Sequence, residues 1–311
     1  MQNGKLKVLN IIGWGRSGST ILGNVLGNCE GFFFGGELRN IWKQSLLKNR
    51  LCGCGVPLKE CVFWNKVFNE AFGDLNNVNV QKIVNELNSS SRSRYALVKR
   101  MPFGTEYFQT GTKIAREEIK KLFLAIKTIT KCEVIVDATK APLYSYLLSL
   151  IDELDVYVIH LIRDPRGIAY SRKKKKIQPD SQNTIYMEQF NPFTSSCLWN
   201  VRNLLAESLW KNKNSRYLMI RYEDFANEPR KIVNDILDFI SEENSKRPFV
   251  SDRMVQLGIN HSVWGNPSRF KKGEVELQLD DEWKNKLSPF DKVISTLCTL
   301  PLLVKYGYRV N

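Results

Sequence analysis

Two kinds of apolar pattern alternate along the chain. Residues 8–12, 134–136 and 156–162 are short unbroken runs rich in branched side chains, and they predict strands buried on both faces of a parallel sheet. A further strand is predicted over 217–221. Between these runs, apolar residues return every three or four positions, the spacing of a helix with one buried face. Ile21, Leu22, Val25 and Leu26 begin the series, followed by Trp42, Leu46 and Leu47 within 37–49, after the aromatic run Phe32-Phe33-Phe34. Val62, Phe63, Val67 and Phe68 predict another helix, Val80, Ile83, Val84 and Leu87 the next, and Ile114, Ile119, Leu122, Phe123 and Ile126 a strong one over 111–130. Residues 89–94 read as a polar, basic loop before a short strand at 95–98. A helix follows Pro142, and two more are expected over 193–211 and 225–240. Strands alternating with helices predict an α/β fold with a parallel sheet covered on both faces. No internal repeat or low-complexity linker interrupts the 311 residues, so one domain over 1–311 is expected, with a helical insertion at about 38–130.

The first predicted strand runs into Gly13-Trp14-Gly15-Arg16-Ser17-Gly18-Ser19-Thr20 before the first helix. Strand, glycine-rich turn and helix start together aim backbone N–H groups at one anion. The spacing fits the phosphate-loop pattern G-x-x-x-x-G-K-[ST], except that Ser19 stands where the lysine belongs. The positive charge sits at Arg16 instead, beside the hydroxyls of Ser17, Ser19 and Thr20. That set suits a compact, doubly charged group better than a magnesium-bound triphosphate. A second motif follows the strand at 156–162. Arg163 ends the strand, Asp164 and Pro165 suit a helix start, and Ser171 lies eight residues beyond Arg163. A forked, permanently charged donor plus a hydroxyl is a fitting pair for a phosphate dianion. The basic run 172–176 reads as a solvated face.

Composition narrows the partners. With 46 basic and 32 acidic residues the net charge is +14, which favours anionic ligands. The basic residues are scattered and no nucleic-acid motif is visible. The first residues lack the apolar core of an export signal, and no apolar run approaches the ~18 residues of a membrane span, so a cytoplasmic location without membrane contact is expected. Seven cysteines are present, three of them clustered as Cys52, Cys54 and Cys61. A metal there needs a fourth ligand, yet the two histidines, His160 and His261, are remote in sequence. A disulfide to Cys61 is the other possibility, and reduced structural thiols with no metal are the default.

Residues 16–20 after their strand resemble the 5′-phosphosulfate loop of sulfotransferases that use 3′-phosphoadenosine 5′-phosphosulfate (PAPS). The pair Arg163 and Ser171 is similar to the family's 3′-phosphate site. Residues 217–225 resemble its strand and Tyr-Glu-Asp turn, which implies Tyr222 beside the adenine. Residues 265–273 resemble its late basic-glycine loop, within a closing segment at about 258–290, and imply contacts from Arg269, Lys271, Lys272 and Gly273 to the 3′-phosphate. Gly15, Arg16, Ser17, Gly18, Ser19 and Thr20 would cradle the phosphosulfate. Glu37 follows Arg16 by twenty-one residues, the place of the glutamate base in the tyrosylprotein and carbohydrate branches. His160 and His261 do not match the histidine base of the aryl branch. Lys140 resembles the lysine of the tyrosylprotein branch's Lys-Asp-Pro segment, although Ala141 replaces its aspartate. The Cys-Gly-Cys-Gly segment is similar to bacterial sulfotransferases, some of which tailor small natural products.

The resemblance implies a three-layer, P-loop-like fold and in-line transfer from PAPS, without a metal, to a hydroxyl or amine of a small acceptor such as a secondary metabolite. Adenosine 3′,5′-bisphosphate would be released. Glu37, Lys140 and Arg16 would be the catalytic groups. The rival readings are a P-loop kinase or NTPase, with residues 134–137 as its Walker B strand, and a sulfotransferase for glycans or protein tyrosines. Neither the acceptor nor the oligomeric state is legible.

Overall fold

Branched apolar residues in the short runs do form the sheet. The computed structural model describes residues 4–90, 104–178, 180 and 185–310. Its strands are β1 (Leu6–Gly13), β2 (Phe32–Gly36), β3 (Val134–Asp137), β4 (Leu154–Ile162), β5 (Ile177–Gln178), β6 (Ile185–Tyr186), β7 (Tyr217–Arg221), β8 (Met254–Leu257) and β9 (Gly273–Glu276). Five of them make a parallel sheet in the order β2-β3-β1-β4-β7. β5 with β6 and β8 with β9 form antiparallel ribbons.

Side chains alternate across the sheet, and each face has its own core. Leu6, Val8 and Ile12 of β1, with Val156 and Val158 of β4, pack against Val62–Phe72, Val80–Ser90, Lys113–Thr130 and Pro192–Trp210. Leu9 and Ile11, with Ile159 and Leu161, face Ser19–Leu26 and Pro229–Phe239. The result is three layers, helix on sheet on helix. A strand buried on both faces has no polar side to show, which is why these runs are unbroken.

Several expectations change. The aromatic run at 32–34 belongs to an edge strand, β2, with Gly35 and Gly36 ending it. Residues 37–49 are helical only as a 3₁₀ turn (Leu38–Asn40) and a wider π-helical turn (Ile41–Leu47) that buries Trp42 and Leu46. The helix over 225–240 is two helices, Tyr222–Asn227 and Pro229–Phe239, divided where Pro229 lacks an N–H to continue the ladder and instead opens the second. The strand expected at 95–98 and most of the loop before it lie outside the described residues. Among the described residues, no helix is long and apolar enough to cross a membrane.

Candidate active site

The C-terminal ends of β1, β3 and β4 open into one cavity of about 1040 Å³, at the upper end of small-ligand sites. This is where an open parallel sheet holds ligands. Eight basic and four acidic residues line it, so the surplus charge is positive.

At the end of β1 the chain turns through Arg16, with φ +75°, and Gly18, with φ +83°. A side chain on Gly18 would strike the Tyr222 ring at 2.5 Å, so glycine is required twice over, by conformation and by space. Ser19 and Thr20 then start the helix Ser19–Leu26. The Ser19 Oγ is buried and has no partner among the described residues. The Ser17 hydroxyl turns inward to donate to the Trp14 carbonyl at 2.6 Å. The hydroxyl shapes the turn, and Ser17 is absent from the cavity lining.

Arg16 Nε donates to Ser171 Oγ at 3.1 Å, and Arg163 Nη1 donates to the Arg16 carbonyl at 3.0 Å. The two expected anion motifs therefore meet. Burial, with Arg172 and Arg163 nearby, lowers the Arg16 guanidinium to about 10, leaving it charged at neutral pH. Arg163 lies over the Tyr222 ring at 4.4 Å and donates from Nη2 to the Asp280 carbonyl at 2.7 Å. The same nitrogen is 3.1 Å from the Asp280 carboxylate. Asp164 caps the helix Pro165–Lys173 that carries Ser171. The basic run beyond it divides: Lys173 and Lys174 pair with Asp291 and Glu282, whereas Arg172 and Lys176 line the cavity. Arg172 also lies 5.0 Å over the Trp14 ring. Its inward position is invisible in a run of five basic residues.

Opposite the loop, Glu37 leaves the end of β2. Its backbone N–H donates to the Val263 carbonyl at 2.8 Å. Its Oε1 accepts from Lys140 Nζ, and its Oε2 accepts from Asn40 Nδ2 at 2.9 Å. Both Glu37 and Lys140 line the cavity and are mostly buried. A methyl group placed on Gly265 would lie 3.5 Å from both Glu37 Oε1 and Thr20 Oγ1, so the carboxylate sits across a narrow gap from the glycine-rich loop. Beneath them Asp137, wholly buried, accepts from the backbone N–H groups of Thr139 (2.8 Å) and Leu38 (3.3 Å). It thereby ties the residue after Glu37 to the residue before Lys140. Burial lifts its carboxyl to about 7, against the pull of those two donors. In the sequence Asp137 stands out only as the end of the candidate Walker B run 134–137.

The late loop is divided. Lys271 lines the cavity, as do Gly265 and Asn266. Arg269 does not line it. Its Nη2 pairs with Asp180 Oδ2 at 3.1 Å, and it donates to the carbonyls of Ser262 and Leu51 at 2.7 and 2.8 Å. An internal carboxylate has claimed it. Lys272 is exposed and Gly273 begins β9; neither lines the cavity. Of the histidines, His160 is fully buried between Tyr217 Oη (2.7 Å) and Asn203 Oδ1 (2.8 Å). Burial pushes it down to about 4, so it is a neutral core group far from base duty. His261, remote in sequence, is carried by the fold to Cys52, Cys54 and Cys61, with all four potential donor atoms within 4.8 Å of one another.

A five-stranded parallel sheet between helical layers, with a glycine-rich turn from β1 into a helix, defines a P-loop-like α/β class. Within it, the chain belongs to the sulfotransferase family, whose profile matches residues 9–245. Carbohydrate sulfotransferase 1 of Rattus norvegicus is 25% identical over 204 residues, a match spanning 58% of this chain and 46% of that protein. Its Homo sapiens counterpart is 23% identical over 196 residues, with the same coverage. The chain thus matches about half the length of these curated relatives. The sulfotransferase domain from the curacin biosynthetic pathway shares the fold, with a TM-score of 0.55 over 99% of both chains at 15% identity.

Proposed function

We propose that the protein transfers a sulfuryl group from PAPS to a hydroxyl of a small acceptor. The observation that carries this reading is the Glu37–Lys140 pair facing the glycine-rich loop in the same cavity as Arg163 and Ser171. The residues present fit the donor. The buried, unpartnered Ser19 Oγ is an orphan hydroxyl that an anion in the loop would satisfy. Arg163 and Ser171 supply the fork and hydroxyl for a second phosphate, and Tyr222, with Arg163 across its face, supplies an aromatic wall for a base.

The donor supplies an activated sulfuryl group and leaves as adenosine 3′,5′-bisphosphate. Glu37 takes the acceptor proton as the acceptor oxygen attacks, a contribution of about 10²–10⁴-fold. Lys140, held by Glu37, turns to the charge that grows on the bridging oxygen, which frees the carboxylate for the proton. Arg16 and the loop N–H groups hold the remaining charge. Asn40 fixes the carboxylate from its other oxygen.

A second reading of the acceptor, a sugar hydroxyl, is favoured by the names of the curated relatives and by Trp264 and Tyr186 in the cavity wall, since flat aromatic faces suit sugar rings. Calorimetry tests the donor: tight, magnesium-independent binding of adenosine 3′,5′-bisphosphate is expected, and a preference for Mg-ATP would return the kinase reading. Labelled PAPS offered with panels of small alcohols and of oligosaccharides then separates the two acceptor classes.

A further inference from the structure

We propose that Cys52, Cys54, Cys61 and His261 form a structural zinc site that clamps the cysteine loop to the segment bearing the late cavity wall. The inference is independent of the donor and acceptor assigned above. In a tetrahedral Zn²⁺ site, Zn–S of about 2.3 Å and Zn–N of about 2.0–2.1 Å place neighbouring sulfurs roughly 3.8 Å apart, and sulfur and nitrogen roughly 3.6 Å apart. Here Cys61 Sγ is 3.7 Å from both Cys52 Sγ and Cys54 Sγ. His261 Nδ1 is 3.6 Å from Cys52 Sγ and 3.4 Å from Cys61 Sγ. Four edges of a zinc tetrahedron are therefore present. The two remaining edges both involve Cys54, the most exposed of the three thiols, and no edge exceeds 4.8 Å. A disulfide would consume two thiols and leave the third and the imidazole unexplained; none of the three cysteines is disulfide-bonded.

The surroundings hold the donors in place. The His261 ring stacks on Phe63 at 4.5 Å and 14°. The Trp64 Nε1 donates to the His261 carbonyl at 2.8 Å. Both aromatics follow Cys61 at the start of Val62–Phe72, so one helix end sets a ligand and orients the histidine. The turn at Cys52 is closed by Gly55 N–H to the Cys52 carbonyl at 2.9 Å, with Gly55 at φ +96°. A set of four protein ligands leaves no open position, the mark of a structural rather than a catalytic zinc. None of the four lines the cavity.

The clamp has an evident target. Gly53 N–H donates to the Ser262 carbonyl at 2.9 Å, and Val263 N–H donates to the Gly35 carbonyl at 2.9 Å. Val263 also accepts from Glu37 N–H. A metal at His261 thus fixes the strand-like segment against which the Glu37 backbone is seated, and from which residues 264–271 continue into the cavity wall.

The full chain, produced without a metal-binding tag in zinc-supplemented medium and dialysed into metal-free buffer, is expected to hold about one zinc by elemental analysis. Exchange into Co²⁺ should produce tetrahedral ligand-field bands and thiolate-to-cobalt charge transfer. Chelation should release the metal, expose the three thiols to a thiol reagent and lower the melting temperature. C54S is the mildest ligand variant because Cys54 is only half buried, and it should weaken Co²⁺ affinity by roughly tenfold or more. Should C54S fail to fold, the cobalt spectrum of the unaltered chain decides alone. A zinc-exposed chain that holds no metal and shows no thiolate-to-cobalt band overturns the site, as does a C54S protein with unchanged Co²⁺ affinity.

Discussion

Arg163 and Arg269 carry the same side chain and had the same expected task, but they lie in regions built on different rules. Arg163 ends a central strand. Its position follows from the sheet: once β4 pairs with β1 and β7, the residue after Ile162 emerges at the rim of the cavity beside the glycine-rich loop. Arg269 lies in a short 3₁₀ turn, Pro267–Phe270, outside the parallel sheet, and its partner Asp180 is 89 residues away. Both side chains of that pair are 1% exposed, whereas the Asp280 carboxylate on Arg163 is 41% exposed. Arg163, itself 6% exposed, is paired with a carboxylate that solvent reaches; Arg269 is a beam inside the wall, its partner as buried as itself. A motif at a strand end states where its side chain will be, and a motif in a long loop does not.

The largest effect that would break this contrast is on stability. Arg269→Ala leaves Asp180 as a buried, unpaired charge and should cost roughly 3–5 kcal/mol, read as a lower urea midpoint. The folded fraction should keep its affinity for adenosine 3′,5′-bisphosphate. Lost affinity with unchanged stability would exchange the two roles. Next in size is Glu37→Gln, which preserves the acceptor position for Asn40 but takes no proton near neutral pH. Turnover on a hydroxyl acceptor should fall by about 10²-fold or more while bisphosphate affinity is retained. Near-normal turnover would reduce Glu37 to a residue that merely starts a turn.

Arg163→Ala sharpens the contrast from the other side. It should weaken adenosine 3′,5′-bisphosphate at least about tenfold more than adenosine 5′-monophosphate, the worth of a charge-assisted fork. Equal losses would remove the 3′-phosphate from its assigned seat. The smallest effect is a pH slope from Asp137, beneath the Glu37–Lys140 pair. Its folded carboxyl titrates at about 7, above the ordinary value near 3.9, so the folded state binds the extra proton between those values. Its contribution to stability is complete below about pH 4, falls as pH rises toward about 7, and changes no further above it, with a slope of at most about 1.4 kcal/mol per pH unit. Asp137→Asn should flatten that slope in urea titrations at several pH values. An unchanged slope would place the proton elsewhere.

The sheet was legible because burial on both faces writes itself as a continuous run, as at Val156, Val158 and Ile159. Even so, β2 passed as an aromatic run, since three phenylalanines followed by two glycines carry neither alternation nor branching. Both anion motifs were legible because each abuts a strand of the sheet. Their hydrogen bond through Arg16 and Ser171 was not, because it joins residues 155 positions apart. The same holds for His261, which reaches Cys52 across 209 positions, and for Arg172. The lysines beside Arg172 in the sequence do not follow it into the cavity wall, since Lys173 and Lys174 pair with Asp291 and Glu282. Pairings that a tertiary fold creates between distant loops leave no local period to read.

The Asp280 carboxylate on Arg163 has a kinetic consequence. An anion that reaches this guanidinium exchanges with a resident carboxylate instead of meeting a bare charge, so the electrostatic gain is a difference between two ion pairs. The same carboxylate, half in solvent and tethered within reach, recaptures the guanidinium as soon as a bound anion begins to leave. Competition of this kind weakens equilibrium affinity but accelerates departure. If the doubly phosphorylated ligand proposed above binds at Arg163, this tethered rival anion would shorten its residence in a cavity with a surplus of positive charge.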